Sequence, residues 1–276
     1  MGNRAVFTLH STAERIFSPL PASLRATAHQ SYLSYLRARD GEPGPNAPAG
    51  RTRQLRLEPL LSDTSELNGV SKLVVDTVAR MYAGESFAVH VLAAHKNPPA
   101  AIAHITAQEA SHTRILAALL GIFQRPTKPQ SLHWALRPLV LALVSLPHPF
   151  STILLFIGEL MGVLILLSVR RELERLPASS AKQSALDLVR EIAIDEVGHL
   201  AYNHARLSAW QMRAAAVIAR WQIPIHAYIE PLAAYSFRSA ALGRFHWSML
   251  PKDLTDEAWL PALQVKGRDA SERMAA

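Results

Sequence analysis

The 276-residue chain contains no cysteine. That absence excludes disulfides, thiolate metal sites and iron–sulfur clusters, and leaves histidine and carboxylates as the strong protein ligands for a metal. Acid is in deficit: 22 Asp and Glu stand against 29 Lys and Arg, a formal charge of +7. A basic surface suits anionic lipid headgroups, acidic partners or nucleic acid. Nucleic acid ranks last, because no zinc finger, aromatic RNP-like run or basic helix accompanies the charge. Met1 to Ala26 has no continuous apolar run of the signal-peptide kind, and Val6 breaks the myristoylation pattern opened by Met1-Gly2. The expected location is cytoplasmic, although the same arginine-containing, acid-poor stretch also fits an organelle presequence.

Charge is nearly missing from one further place. Between Arg137 and Arg170 the only Asp, Glu, Lys or Arg is Glu159. The segment is broken at Pro147-His148-Pro149, which predicts a helix from about Phe150 to Arg175. Its apolar run approaches the minimum for a membrane span, yet a central Glu is costly in lipid. The expected role is the central, all-round buried helix of a bundle; the second reading is a helix that lines a greasy cavity for a lipophilic substrate, with peripheral membrane contact through Leu139 to Leu146 as an option.

Two Glu-x-x-His pairs carry the function: Glu109…His112 and Glu196…His199, each preceded along the chain by a Gly-Glu, at Glu85 and Glu159. In Glu-x-x-His the two side chains lie one turn apart on one helix face, so both reach the same ion. Glu85 and Glu109 lie twelve residues either side of Asn97, which opens the helix-breaking Asn97-Pro98-Pro99. Glu159 and Glu196 are centred on Pro177-Ala178, where Pro177 stops one helix and Ser180…Gln183 has the form of a capping box. Two helical hairpins would thus bring each Gly-Glu level with a Glu-x-x-His.

The apolar stripes agree. Val74, Val78, Met81, Glu85, Val89 and Leu92 share one helix face; so do Ile102, Ile105, Glu109, His112, Leu116 and Leu120; so do Val189, Ile192, Glu196, His199 and Asn203. One Glu on such a stripe is usually snorkelling or ion-paired. Four together repel one another and need cations to stay ionised. The expected metal ligands are Glu85, Glu109 and His112 on one ion and Glu159, Glu196 and His199 on the other, with Glu109 and Glu196 as bridges. Four carboxylates favour two iron ions, with manganese the competitor and zinc less suited. Asp195 is either a surface carboxylate or, turned towards the neighbouring helix, the acceptor of the His112 proton. Tyr82, one turn before Glu85, is either a core tyrosine or a hydrogen-bonding or redox-active group. Gly158 and Gly162 flank Glu159 and leave room either for substrate or for close helix packing.

The predicted fold is all-α: residues 1–67 as an N-terminal extension with one helix and a flexible loop, 68–210 as a four-helix bundle with a long crossover, and 211–276 as a C-terminal helical extension. A helix from about His226 to Leu242 is expected after Pro224.

Through Ala83-Gly84-Glu85-Ser86-Phe87, Gln108-Glu109-Ala110-Ser111-His112, Arg125-Pro126-Thr127 and Asp195-Glu196-Val197-Gly198-His199, the chain resembles the ferritin-like di-iron carboxylate proteins, and among them the demethoxyubiquinone hydroxylase family. It departs from that family at Met81-Tyr82 and at Leu164-Ile165-Leu166. The resemblance implies a ferritin-like fold, a di-iron centre, O2 as co-substrate and an outside electron donor or reductase. The expected activity is hydroxylation or mono-oxygenation of an apolar or aromatic small molecule. The alternatives are an oxidase of an aldehyde or amine, a ferritin-like iron-binding protein without organic substrate, and a membrane-associated helical scaffold.

Overall fold

The computed structural model describes residues 15–42, 50–62, 65–93, 100–124, 138 and 148–261. The expected turn at Asn97-Pro98-Pro99, the crossover from Arg125 and the apolar stretch Leu139 to Leu146 lie outside them. Among the described residues the protein is all-α, with no strand beyond an isolated bridge between Arg15 and His246. The helices are α1 (Ala22–Asp40), α2 (Arg51–Leu61), α3 (Lys72–Ala93), α4 (Ala100–Ile122), α5 (His148–Glu174), α6 (Ser180–Arg206), α7 (Ala209–Ile229), α8 (Ala234–Ala241) and the single turn α9 (Lys252–Thr255).

Four of these close a ring around one core. The helix α3 packs on α4, α4 on α6, α6 on α5, and α5 back on α3. Val74 and Val78 of α3, Ile115 and Leu116 of α4, Val163 and Leu166 of α5, and Val189 and Ile192 of α6 fill that core. The turn between α5 and α6 is locked at both ends. Ser179 caps α6 by accepting a bond from the Lys182 amide at 3.1 Å, which stabilises by about 1 kcal/mol. Lys182 Nζ donates to the Glu174 and Leu176 carbonyls that end α5, at 2.7 and 2.6 Å. The cap is therefore Ser179, one residue before the predicted Ser180, because its extended backbone leaves the side chain facing the first amides.

Two further expectations need correction. The N-terminal region holds two helices rather than one, since Arg51 to Leu61 is helical. Gly50, with φ of 72°, starts it, and any side chain there would collide with the Asp40 carbonyl. Pro224 does not separate helices: α7 runs through it to Ile229, with the ring on the exposed face. Glu230 then ends α7, and a 3₁₀ turn at Pro231–Ala233 leads into α8. The helix α5 is long and apolar enough to cross a membrane, and 72% of its span-length window is buried inside the protein, in keeping with the expected buried helix.

Candidate metal centre

The ring of helices places carboxylates and imidazoles from all four of its members together at its middle. Two sets form. Glu85, Glu109, His112 and Glu196 make one, and Glu109, Glu159, Glu196 and His199 the other, with the ligand atoms of each set within 4.8 Å of one another. The sets share Glu109 and Glu196, the pair expected to bridge. His112 Nδ1 lies 3.4 Å from Glu109 Oε2, 3.2 Å from Glu196 Oε1 and 3.9 Å from Glu85 Oε2. His199 Nδ1 lies 3.2 Å from Glu109 Oε1, 3.8 Å from Glu196 Oε1 and 3.9 Å from Glu159 Oε2. The two rings stand 5.9 Å apart.

Both imidazoles are fixed from behind. His112 Nε2 donates to Asp195 Oδ2 at 3.1 Å, and His199 Nε2 donates to Gln108 Oε1 at 2.8 Å. Each acceptor directly precedes the Glu of the opposite Glu-x-x-His, so α4 orients the imidazole of α6 and α6 that of α4. With the proton on Nε2, each Nδ1 presents a lone pair to the carboxylates. Both Nδ1 atoms and Glu196 Oε1 are buried without a hydrogen-bond partner. A buried polar atom left so is rare and costly, and a cation between the imidazoles and the carboxylates would satisfy all three. The donor set, two nitrogens and four carboxylates without sulfur, fits first-row dications that prefer oxygen and imidazole.

Asp195 is itself held. Arg53 NH2 reaches Asp195 Oδ2 at 2.6 Å, and Arg39 Nε donates to Asp195 Oδ1 at 3.2 Å. Arg39 and Arg56 both bind Glu191, Arg56 and Arg53 bind Asp40, and Gln108 Nε2 donates to Asp40 Oδ2 at 2.7 Å. Three arginines thus meet three carboxylates in a neutral cluster between α1, α2, α4 and α6. Burial alone pushes Asp195 up, but Arg53 and Arg39 overcome it and hold the carboxyl well below its usual range. The sequence reading missed Gln108, Arg39, Arg53, Asp40 and Glu191. Gln108 had a usable signal, since it occupies the position before Glu109 that Asp195 occupies before Glu196. Tyr82 is half-buried against the core, and among the described residues no hydrogen bond joins it to the six ligands.

Without a cation the cluster must hold protons. Burial, then the charge of Glu109, raises Glu85; burial, then Glu196 and Glu109, raises Glu159. Burial opposes a charged His112 and His199, but Asp195 and Glu109 respectively lead the groups that raise them. Burial also opposes ionised Glu109, yet the neighbouring Glu85 carboxyl and both imidazoles hold it low. The raised groups stabilise the fold fully below their unfolded values of 4.5 and 6.5, and that contribution is lost as pH climbs through the folded ones. Glu109 and Asp195 act oppositely, contributing above 4.5 and 3.8 and failing in acid. The metal-free protein should therefore melt at progressively lower temperature from about pH 6 to pH 8, and bound dications should remove that slope. A metal-free melting temperature that is flat over this range would contradict the assignment.

Gln108 provides a second test. Gln108→Leu removes the acceptor of His199 Nε2 and should weaken the His199 set by roughly 10- to 100-fold; the His112 set, which Gln108 reaches only through its 3.2 Å bond to Asp195 Oδ1, should weaken less. Calorimetric titration with ferrous or manganous ion should then resolve one tight and one weak step where the wild type shows two tight ones. Equal weakening of both steps would show that Gln108 acts through the fold.

No protein-family model, curated protein or solved structure matches this chain.

Proposed function

We propose that the protein is an O2-dependent non-haem di-iron oxidoreductase of the ferritin-like, four-helix-bundle kind, acting as a hydroxylase or mono-oxygenase on an apolar or aromatic small molecule. The observation that carries this reading is the pair of buried, unpartnered Nδ1 atoms facing four carboxylates in two sets that share Glu109 and Glu196. Two iron ions held there would supply O2 activation, with electrons from an outside donor. The chain's own part is to fix both imidazoles through Asp195 and Gln108 and to keep the α4–α6 side dry and charge-neutral. Manganese fits the same donors. A storage role is less favoured, because the long apolar α5 supports an enclosed organic site.

The solvent side of the centre supports a route for substrate. Glu85 and Glu159 are the least buried ligands, with 16% and 14% of their side chains exposed. A Cβ added at Gly84 or Gly158, each directly before one of these glutamates, would meet nothing within 4 Å. A Cβ at Gly162 would instead lie 3.1 Å from Glu196 Oε2. Gly162 therefore makes room for Glu196, and the open space beside the centre lies at Gly84 and Gly158.

The experiment follows from that division. Ferrous-loaded wild type should consume O2 rapidly, and a panel of apolar ring and chain compounds should include one that it oxygenates. Gly84→Leu and Gly158→Leu should keep the iron and the O2 uptake but lower turnover of that compound by about tenfold or more. Gly162→Leu should lose iron. Loaded protein that is inert to O2 would end the oxygenase reading, leaving iron binding alone; Gly162→Leu with full iron would end the role given to that glycine.

A further inference from the structure

Of the large apolar side chains exposed among the described residues, most gather on one part of the molecule. On α7, Trp210, Val217, Trp221, Ile225 and Tyr228 follow one another at intervals of seven, four, four and three residues. That spacing draws a stripe about five turns long on one helix face. Trp221 is 78% exposed and Tyr228 80%. The opposite face, with Met212, Ala215, Ala219 and Ile223, is buried against the protein. So α7 is apolar on both faces, and among the described residues only one of them has a partner. At its start Phe150 of α5 meets Trp210 edge-on, with ring centres 6.2 Å apart, which carries the apolar surface onto the neighbouring helix.

Charge on this surface has one sign. From Arg206 to Met249 the chain has five arginines and a single carboxylate, Glu230. Glu230 is buried and engaged by Arg80 and Thr77. Arg213 and Arg220 are exposed along one edge of the stripe, and neither has a carboxylate partner among the described residues. Arg238 and Arg244 are exposed on and just after α8. A second copy of the same face would bring more arginines and no acid to meet them. An acidic protein would satisfy the arginines but not a long apolar stripe set with Trp and Tyr. Tryptophan and tyrosine suit the boundary between headgroups and acyl chains, and arginine beside them suits anionic headgroups.

We propose that the outer face of α7 is a membrane-docking surface that lies flat on an anionic lipid bilayer, with Trp221 and Tyr228 inserted and Arg213 and Arg220 at the headgroups. The proposal is independent of the metal centre, because every residue in it faces away from the core that holds the ligands.

Full-length protein mixed with vesicles of phosphatidylcholine alone, and with about a third phosphatidylglycerol added, tests this. Binding is read by co-sedimentation and by quenching of tryptophan emission with brominated lipid. Strong binding is expected only to the anionic vesicles, with quenching. Trp221→Ser should weaken it at least tenfold and cut the quenching to the part that Trp210 supplies, since Trp247 and Trp259 are buried. Arg213→Gln and Arg220→Gln should each weaken it about fivefold and flatten its salt dependence. Leu55→Ser, at an exposed leucine on α2, should change nothing. These side chains are exposed, so unchanged circular dichroism is expected of every variant. No binding to anionic vesicles, binding that survives Trp221→Ser, or a dimer in solution that Trp221→Ser dissolves would each overturn the proposal.

Discussion

Replacing Glu196 or Glu109 by alanine is expected to take the protein from about two bound ions per chain to fewer than one. Each of these carboxylates belongs to both ligand sets, so its loss removes a donor from both ions together. Glu85 and Glu159 each belong to one set, and alanine at either should cost only one ion. The contrast between shared and unshared glutamates separates a coupled pair of sites from two independent ones. Metal content by elemental analysis, after loading under argon and gel filtration, reads the difference. Equal losses from Glu85→Ala and Glu196→Ala would show that no ligand is shared.

Arg53→Leu is expected to destabilise the protein by about 3–5 kcal/mol, the usual cost of breaking a buried ion pair from one side. Arg53 is fully buried between Asp195 and Asp40. Removing it leaves three carboxylates facing two arginines, with Asp195 and Asp40 closed to water. The loss should reach the metal as well, because Asp195 fixes the His112 ring. Urea unfolding of metal-free wild type and Arg53→Leu measures the first effect, and ion affinity the second. A change below about 1 kcal/mol would mean that water or a shifted arginine replaces the contact. Arg53→Lys should recover the charge but not the reach to both aspartates, and should fall between the two.

The cluster of four glutamates and two histidines was legible because each glutamate breaks a rule of its own helix. Glu85, Glu109 and Glu196 interrupt apolar stripes, and Glu159 stands alone in a segment without other charge. A carboxylate where packing demands an apolar residue is informative, since something must repay its desolvation. The hairpin symmetry about Asn97 and Pro177 added the level at which the ligands meet. Asp195 could be placed for the same reason, by its position next to Glu196 on the opposite side of a known helix.

What stayed illegible came from segments whose partners are distant in the chain. Arg53 looks like a surface residue in Arg51-Thr52-Arg53-Gln54, and its burial follows only from α2 packing on α4 and α6. Arg39 likewise meets Glu191 and Asp195 more than 150 residues away, and Asp40 meets Gln108 of α4. Periodicity within one helix cannot show that a charge is buried by another element. Gly162 shows the same limit at shorter range. Its spacing from Glu159 suggested open space on α5, whereas the carboxylate that fills it belongs to α6. The extent of α7 was missed because Pro224 was read as a stop. Its ring lies on the exposed face near the end of the helix, where a lost bond is replaced by water.

The most direct measurement is anomalous diffraction at the iron edge from crystals of protein loaded with ferrous ion under argon. Two peaks are predicted between Glu109 and Glu196, one beside His112 Nδ1 and the other beside His199 Nδ1. A single peak, or iron held away from these two nitrogens, would contradict the account.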